Sequence, residues 1–286
     1  MYSWGVATPT LTQAVDQFLA GAGHSRAGTS TQTSYRYALE RFFKAAALST
    51  VADLKSLTDF RKALRALEQE FEPATVALTV SAVRQFYRAL QVDDPELKDP
   101  TVGIRVHIPD NVPEWNVLQQ GDPAAMLEKI KEPRHRAVFL ALVMQGWRES
   151  ELCAMTWKNV RQEGAGWVVE WKAKRGKMRR QALQAVVMEA VRACGGKVAP
   201  GAPLIPNVGG KAFTRHEVYN LVKKYSKLFG RRVTPHGLRA TYISSVIARK
   251  GIEAARQLAG HKSIATTQRY SRWLIDSDDP LTVEDL

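Results

Sequence analysis

The sequence predicts a mainly α-helical protein with a small β-sheet, divided into two domains. Apolar residues recur at helical spacing through the first ninety residues, a proline-rich stretch follows, and one short run after it is typical of a strand. The chain has 286 residues, and one domain usually takes roughly 150. Its 45% hydrophobic and 24% charged residues are usual for a globular protein and exclude a disordered, collagen-like or coiled-coil chain.

Residues 1–94 are predicted to form a module of four short helices. Leu11, Ala14, Val15, Phe18 and Leu19 lie at positions i, i+3, i+4, i+7 and i+8, which is one apolar helix face. The same pattern predicts helices that carry Tyr35 to Ala46 and Val76 to Leu90, and Leu54 to Leu67 forms a weaker fourth helix. We interpret these stripes as core packing.

Residues 95–116 are predicted to be a linker between the two domains. Four prolines in this stretch prevent a continuous helix, and several aspartates in and around it favour turns. The second domain therefore covers residues 117–286.

The second domain is predicted to be mixed. A helix spans Arg136 to Gln145 and another follows Arg148. Gly166 to Trp171 is typical of a strand, the basic run Lys172 to Arg180 of a hairpin turn, and Gln181 to Val187 of a returning strand. Helices resume at Phe213 to Leu228. Thr234-Pro235 then starts a helix that ends near Gly251, and shorter helices follow over Ile252 to Ala259 and after Ser263.

The positive charge is confined to the second half of the chain. Residues 1–113 carry equal numbers of acidic and basic side chains, so the whole net charge of +13 comes from residues 114–286. Such an excess favours a nucleic-acid partner over a generally basic protein. We expect no membrane association, because the chain has no spanning segment or basic amphipathic helix. Only two cysteines are present, which favours a reducing, cytoplasmic location.

Four short motifs in the second domain could carry chemistry. Gly146-Trp147-Arg148-Glu149-Ser150-Glu151-Leu152 comes first, His236-Gly237-Leu238-Arg239 follows, then Gly260-His261, and Tyr270 is last. Taken singly, each is weak evidence. An Arg and a Glu three residues apart usually pair on a helix, and a lone Tyr is usually a half-buried anchor.

Taken together and in this order, the motifs resemble the tyrosine recombinase family, the Xer-type phage integrases. That family has an Arg in Gly-x-Arg-x-x-Glu-Leu, a Lys in a β-hairpin, then His-x-x-Arg, Gly-His and a nucleophilic Tyr, and this chain fills every position. The resemblance covers residues 118–272 and implies an α+β catalytic domain. By size and position alone, the first domain is similar to the family's core-binding (SAM-like) domain.

The motifs carry groups suited to phosphodiester transesterification. Arg148 and Arg239 could clamp the phosphate, with Glu151 in support. Tyr270 is the candidate nucleophile for a 3′-phosphotyrosyl bond, His236 the candidate base, and His261 a donor to the phosphate or leaving group. The resemblance makes Lys174 the expected acid, with Lys177 as the alternative.

The expected function is a site-specific DNA recombinase that needs neither metal nor nucleotide, since the sequence has no carboxylate cluster suited to Mg²⁺ and the family uses no cofactor. The resemblance implies duplex DNA, clamped between the two domains, and a homotetramer on two DNA sites as partners. It leaves accessory DNA-bending proteins open. The acidic tail, Ser271 to Leu286, is expected to pack against a neighbouring subunit.

Two alternatives remain. One is a type IB topoisomerase-like enzyme, which has a similar set of Arg, Lys, His and Tyr residues and relaxes DNA as a monomer. The other is a non-catalytic DNA-binding protein on the same scaffold, although binding alone needs no nucleophile at Tyr270.

Overall fold

Helices dominate the computed structural model, which describes residues 10–21, 29–56, 60–107, 117–119, 121–173 and 176–275. The chain divides into two compact units, Met1–Asn111 and Val112–Leu286. The division falls inside residues 95–116, the stretch predicted to be a linker. The first part of that stretch packs on the first unit, because Leu97 is buried in its core and Ile104 and Val106 lie against it.

The first unit is a helical module whose described residues contain five helices. Its core is aromatic, with the Phe18 and Phe86 rings 5.4 Å apart edge-to-face and the Phe42 and Phe60 rings also 5.4 Å apart. Over Leu54 to Leu67, expected to be one helix, the structure describes two helical segments on either side of residues 57–59, which lie outside the described residues. The five are α1 (Leu11–Ala20), α2 (Thr29–Ala45), α3 (Val51–Ser56), α4 (Phe60–Glu70) and α5 (Pro73–Leu90).

The second unit surrounds one central helix, buried from Ala137 onward, with further helices and a small sheet. Every residue from Ala137 to Met144 is buried, so this helix forms the centre of the core. None of the helices in the described residues has the length and apolar character needed to cross a bilayer. The elements are α6 (Asp122–Lys129), α7 (Pro133–Met144), α8 (Glu149–Ala154), β1 (Val160–Glu163), β2 (Gly166–Lys172), β3 (Met178–Leu183), α9 (Ala185–Ala193), α10 (Arg215–Phe229), α11 (Pro235–Ala259) and α12 (Ile264–Ile275).

The sheet is antiparallel, with the strand order β1-β2-β3. β1 was not predicted, and the returning strand begins at Met178 rather than Gln181 and ends at Leu183. Residues 185–187, expected to continue that strand, form the first turn of α9. The hairpin turn is therefore shorter than expected.

The long helix α11 carries one motif near its start and ends just before another. The Thr234 hydroxyl accepts a hydrogen bond from the Gly237 amide at 3.0 Å, and Pro235 occupies the first turn, as predicted. Gly251, with φ of 81°, breaks the helix into two stretches, and Gly260, with φ of 66°, ends it.

Candidate active site

Arg148 lies at the N-terminus of α8 and is paired with Glu151. The Arg148 backbone N–H donates to one carboxylate oxygen at 2.8 Å, and its guanidinium donates to the other at 3.0 Å. The Arg148 side chain is 43% exposed, whereas that of Glu151 is only 10% exposed. Because Glu151 lies three residues after Arg148, its mostly buried carboxylate holds the arginine in place while the guanidinium remains accessible at the surface.

A buried polar network holds the loop before Arg148 in place. The Trp147 indole N–H donates to the Gln181 side-chain oxygen at 3.1 Å. The Gln181 amide donates in turn to the Gln145 carbonyl at 3.0 Å and to the Tyr242 hydroxyl at 3.1 Å. Since Gln181 lies on β3 and Tyr242 on α11, the network joins three parts of the site.

Arg239 is deeply buried, and its guanidinium donates to two backbone carbonyls, those of Gly146 and Ala259, the latter at 2.7 Å. Burial lowers the pKa of Arg239 to about 10, so the group remains charged at neutral pH. Gly146 is required at its position, because its φ is +61° and an added Cβ would lie 2.1 Å from the Tyr242 ring.

Glu151 is the shared counter-charge of three guanidiniums. Besides Arg148, the nearest nitrogens of Arg179 and Arg239 lie 3.8 and 4.0 Å from its oxygens. Burial acts to raise the pKa of this carboxyl, but the Arg148 backbone N–H and the three guanidiniums together hold it below its usual value. Glu151 is therefore ionised at neutral pH.

His261 and Tyr270 stack on each other next to this cluster. Their ring centroids are 5.6 Å apart at 20°, and His261 Nδ1 lies 3.0 Å from the Thr267 hydroxyl oxygen. Partial burial, followed by the charges of Arg239, Arg148 and Arg179, lowers the pKa of His261 to about 4. The imidazole is thus neutral at pH 7 and has one N–H to donate.

Tyr270 is almost fully buried, at 3% exposure. Burial raises the pKa of its hydroxyl, while Arg239, Arg148 and Arg269 act in the opposite direction. The Ser244 hydroxyl donates to the Tyr270 carbonyl at 3.2 Å and fixes this turn of α12 against α11. The phenol is therefore protonated and enclosed in the free protein.

His236 lies in the first turn of α11, one turn before Arg239, and is exposed. Partial desolvation, and then the charges of Arg239 and Arg148, lower its pKa below the usual value of 6.5. The same two arginines therefore act on His236, His261 and Tyr270, which places all three groups in one electrostatic environment.

Of the two candidate lysines in the hairpin, the structure describes only Lys177. Lys174 lies outside the described residues, and so does the tail from residue 276. Lys177 is exposed, and its carbonyl accepts from the Ala173 amide at 2.8 Å across the turn. Lys177, Arg148 and His261 all line a cleft of about 1420 Å³, whereas His236, Arg239 and Tyr270 do not line it.

Arg179 was not among the site residues predicted from the sequence. This residue follows the hairpin turn on β3, and its side chain joins the Glu151 cluster with 12% exposure. Inward positions alternate along β3 at Arg179, Gln181 and Leu183, and that alternation is the signal that could have singled it out. Among the described residues, no group of three or more His, Cys, Asp or Glu is placed to hold a metal ion.

A family model described as the phage integrase family matches residues 117–274, the part of the chain that contains every one of these groups.

Curated relatives agree with this match. Tyrosine recombinase XerC of Neisseria gonorrhoeae is 26% identical over 285 residues, with 90% of each chain covered. Tyrosine recombinase XerA of Pyrococcus horikoshii is also 26% identical, over 85% of this chain and 83% of that protein.

Solved structures show the same fold. The recombinase XerH in a post-cleavage complex with its palindromic difH substrate has a TM-score of 0.71 at 18% identity, covering 91% of this chain and 81% of that one. Lambda integrase residues 75–356 bound to DNA has a TM-score of 0.72 at 16% identity, covering 96% and 100%. Since the family model spans more than half of the sequence, this chain belongs to the phage integrase family and is a tyrosine recombinase, an enzyme of site-specific DNA recombination.

Proposed function

We propose that the chain cleaves and rejoins duplex DNA through a covalent 3′-phosphotyrosyl intermediate formed at Tyr270. The observation that carries this proposal is that Arg148 and Arg239 pair with one carboxylate, Glu151, while the stacked His261 and Tyr270 lie within reach of both arginine charges. Two guanidiniums supply the positive charge that a phosphate needs as negative charge develops on its oxygens. The neighbouring tyrosine supplies a nucleophile.

The step balances as a transesterification. The Tyr270 oxygen attacks the phosphorus, a bond forms between them, and the bond from phosphorus to the 5′ oxygen breaks. His236 takes the phenolic proton, and a hairpin lysine, Lys174 or Lys177, gives a proton to the 5′ oxygen. Ligation is the reverse, so the phosphotyrosyl bond conserves the energy of the phosphodiester and no nucleotide is consumed.

His261 serves as a neutral hydrogen-bond donor in this scheme. When the Thr267 hydroxyl donates to Nδ1, the remaining N–H lies on Nε2 and can donate to a phosphate oxygen. The low pKa of His261 supports this role, because an imidazole of pKa about 4 is a poor proton acceptor at neutral pH. We therefore propose His261 as a donor and His236 as the base.

Duplex DNA and further copies of this chain are the proposed partners. Related structures are a lambda integrase dimer on a core site and a lambda integrase tetramer on a Holliday junction. The basic excess of residues 114–286 is consistent with a DNA backbone partner. We propose a tetramer on two DNA sites.

A suicide substrate, nicked so that the cleaved fragment diffuses away, tests the mechanism. Wild-type protein should accumulate a covalent protein–DNA adduct, with and without EDTA. Tyr270→Phe should bind the same DNA and form none. Adduct formation by Tyr270→Phe would contradict the assignment of the nucleophile, and a strict need for Mg²⁺ would contradict the proposed charge stabilisation by arginine.

A further inference from the structure

The geometry points to Arg179 as a positioning residue that fixes His261, and through it Tyr270, relative to the β2–β3 hairpin. This inference rests on the proposed function of Tyr270. Arg179 need not touch DNA in this role. It acts by fixing the backbone on which His261 is carried.

Arg179 is anchored on the inward face of the sheet. It pairs directly across from Trp171 on β2, and its guanidinium carbon lies 5.1 Å from the centroid of the Trp171 ring. The side chain is 12% exposed, so it is packed against protein rather than extended into solvent. The hairpin thus sets the position of the guanidinium.

The guanidinium caps the C-terminal end of α11. Its two terminal nitrogens donate to the carbonyls of Gln257, Leu258 and Ala259, the last at 3.3 Å. The last carbonyls of a helix lack partners within the helix and carry the negative end of its dipole, so a cation there is doubly favourable. The capped residues directly precede Gly260-His261.

Gly260 shows how closely Arg179 packs against this turn. A Cβ at Gly260 would lie 2.8 Å from one terminal nitrogen of Arg179 and 2.9 Å from its guanidinium carbon. Its φ of +66° also disfavours other residues. Arg179 therefore occupies the space that a side chain at position 260 would need, immediately before His261.

Arg179 also shares its partners with the two phosphate-binding candidates. The Ala259 carbonyl accepts from Arg239 at 2.7 Å and lies 3.5 Å from Arg148 Nη2, and Glu151 contacts all three guanidiniums. A shift of Arg179 would thus be transmitted to both arginines and to His261. Its charge contributes to the low pKa of His261.

Two substitutions separate position from charge. Arg179→Lys keeps the charge but loses the planar fork that reaches three carbonyls, and Arg179→Gln loses both. Both should form the covalent adduct more slowly at saturating DNA, by about tenfold to a hundredfold, as misplacement of reacting groups by about 1 Å does. The affinity for DNA should fall by less than the rate of adduct formation, because Arg148 and Arg239 keep their own contacts with Glu151. Arg161→Gln is the control, since Arg161 is an exposed arginine of the same sheet that pairs with Glu163 and Glu170 and lies outside the cleft lining.

NMR titration of His261 gives the second readout. The groups that act on its ring are Arg239, Arg148, Arg179 and His236, with Tyr270 stacked on one face. Arg179→Gln should raise the pKa of His261 from about 4 toward its usual value, whereas Arg179→Lys should leave it low. A residue that only stabilised the fold would lower the melting temperature without this charge-dependent shift.

Three outcomes would overturn the inference. Adduct formation at the wild-type rate by both variants would do so, as would a loss confined to DNA affinity, which would make Arg179 a phosphate contact. Parallel loss of thermal stability, DNA binding and cleavage, with an unchanged His261 pKa, would make it structural. Adduct formation by Tyr270→Phe would instead contradict the proposed function itself.

Discussion

Replacing Glu151 by Gln should destabilise the second unit, and the structure sets the size of the effect. The carboxylate is the common counter-charge of Arg148, Arg179 and Arg239, at 3.0, 3.8 and 4.0 Å. Removing one partner of a buried ion pair costs about 3–5 kcal/mol, and because Arg148 is 43% exposed the lower end, about 3 kcal/mol, is expected. For a unit of this size that free energy corresponds to a fall of about 6–12 °C in melting temperature.

Bound DNA should reduce that loss. In the proposed complex, a phosphate brings new negative charge to the same guanidiniums, and a ligand that binds only the folded state stabilises it. We therefore expect Glu151→Gln to melt well below the wild type when free and closer to it with a saturating duplex that carries the recombination site.

Glu163→Gln is the matched control. Glu163 also contacts two arginines, Arg161 and Arg180, but it lies on the exposed face of the sheet. Exposed ion pairs contribute little to stability because solvent screens them, so this variant should melt close to the wild type.

The pH dependence of the Glu151→Gln effect has a definite sign. The folded-state pKa of Glu151 lies below its usual value of 4.5, so its charge contributes full stability above that value. The contribution is lost as the pH falls through the lower, folded-state pKa. The difference between wild type and variant should therefore be constant from pH 7 to about pH 5 and shrink below it. Equal melting temperatures for the two proteins at pH 7 would refute the view that Glu151 compensates the buried guanidiniums.

Three further predictions concern the same site. Gly146→Ala should lower the free energy of unfolding, measured with denaturant, by clearly more than the roughly 1 kcal/mol expected for positive φ alone, and it should slow adduct formation. Gly164→Ala is the control: Gly164 also has positive φ but faces open space, so this variant should lose only that amount. His261 should show no protonation by NMR between pH 8 and about pH 5.5 because its pKa is about 4, and a midpoint near 6.5 would contradict the burial and arginine contacts described. Lys174→Ala should slow cleavage, and a substrate whose 5′ leaving group needs no proton should restore the rate. If that substrate instead restores the rate of Lys177→Ala, the general acid is Lys177.

Local signals predicted the start and the end of α11 well. The start of α11 depends on Thr234 and Pro235, which act on backbone groups within one turn, and the structure shows the predicted cap. Gly251 and Gly260 interrupt and end the helix through their own positive φ. Such features follow from residues adjacent in sequence, so a single chain is enough to find them.

The sheet was predicted less well because its first strand is short and lacks a strand pattern. β1 has only four residues, and its burial does not alternate, so it lacks the period-two pattern of a strand. It is extended because it pairs with β2, and the Asn159 side chain at its start donates to the Glu170 carbonyl at 2.8 Å. Arg179 was missed for a different reason, since the helix carbonyls that it contacts are about 80 residues away in sequence.

The residues of the candidate site could be predicted from sequence motifs, but the depth at which each one is buried could not. The motifs bring together two arginines of similar chemistry, yet the Arg148 side chain is 43% exposed and that of Arg239 only 5%. A phosphate that enters the cleft therefore meets Arg148 first. Arg239 already donates to two carbonyls, and because a guanidinium has five N–H groups it retains three for a deeper ligand.

This difference in depth constrains the order of events on DNA. The positive charge is assembled in the free protein, where Glu151 balances it, so a phosphate can be attracted without any rearrangement of the arginines. Tyr270, in contrast, is 3% exposed and stacked on His261, and an enclosed oxygen cannot approach a phosphorus atom. If Tyr270 is the nucleophile, as proposed, movement around it must therefore precede cleavage. DNA affinity and the rate of adduct formation are accordingly separate quantities, and variants of Arg148 and of the residues around Tyr270 should change them independently.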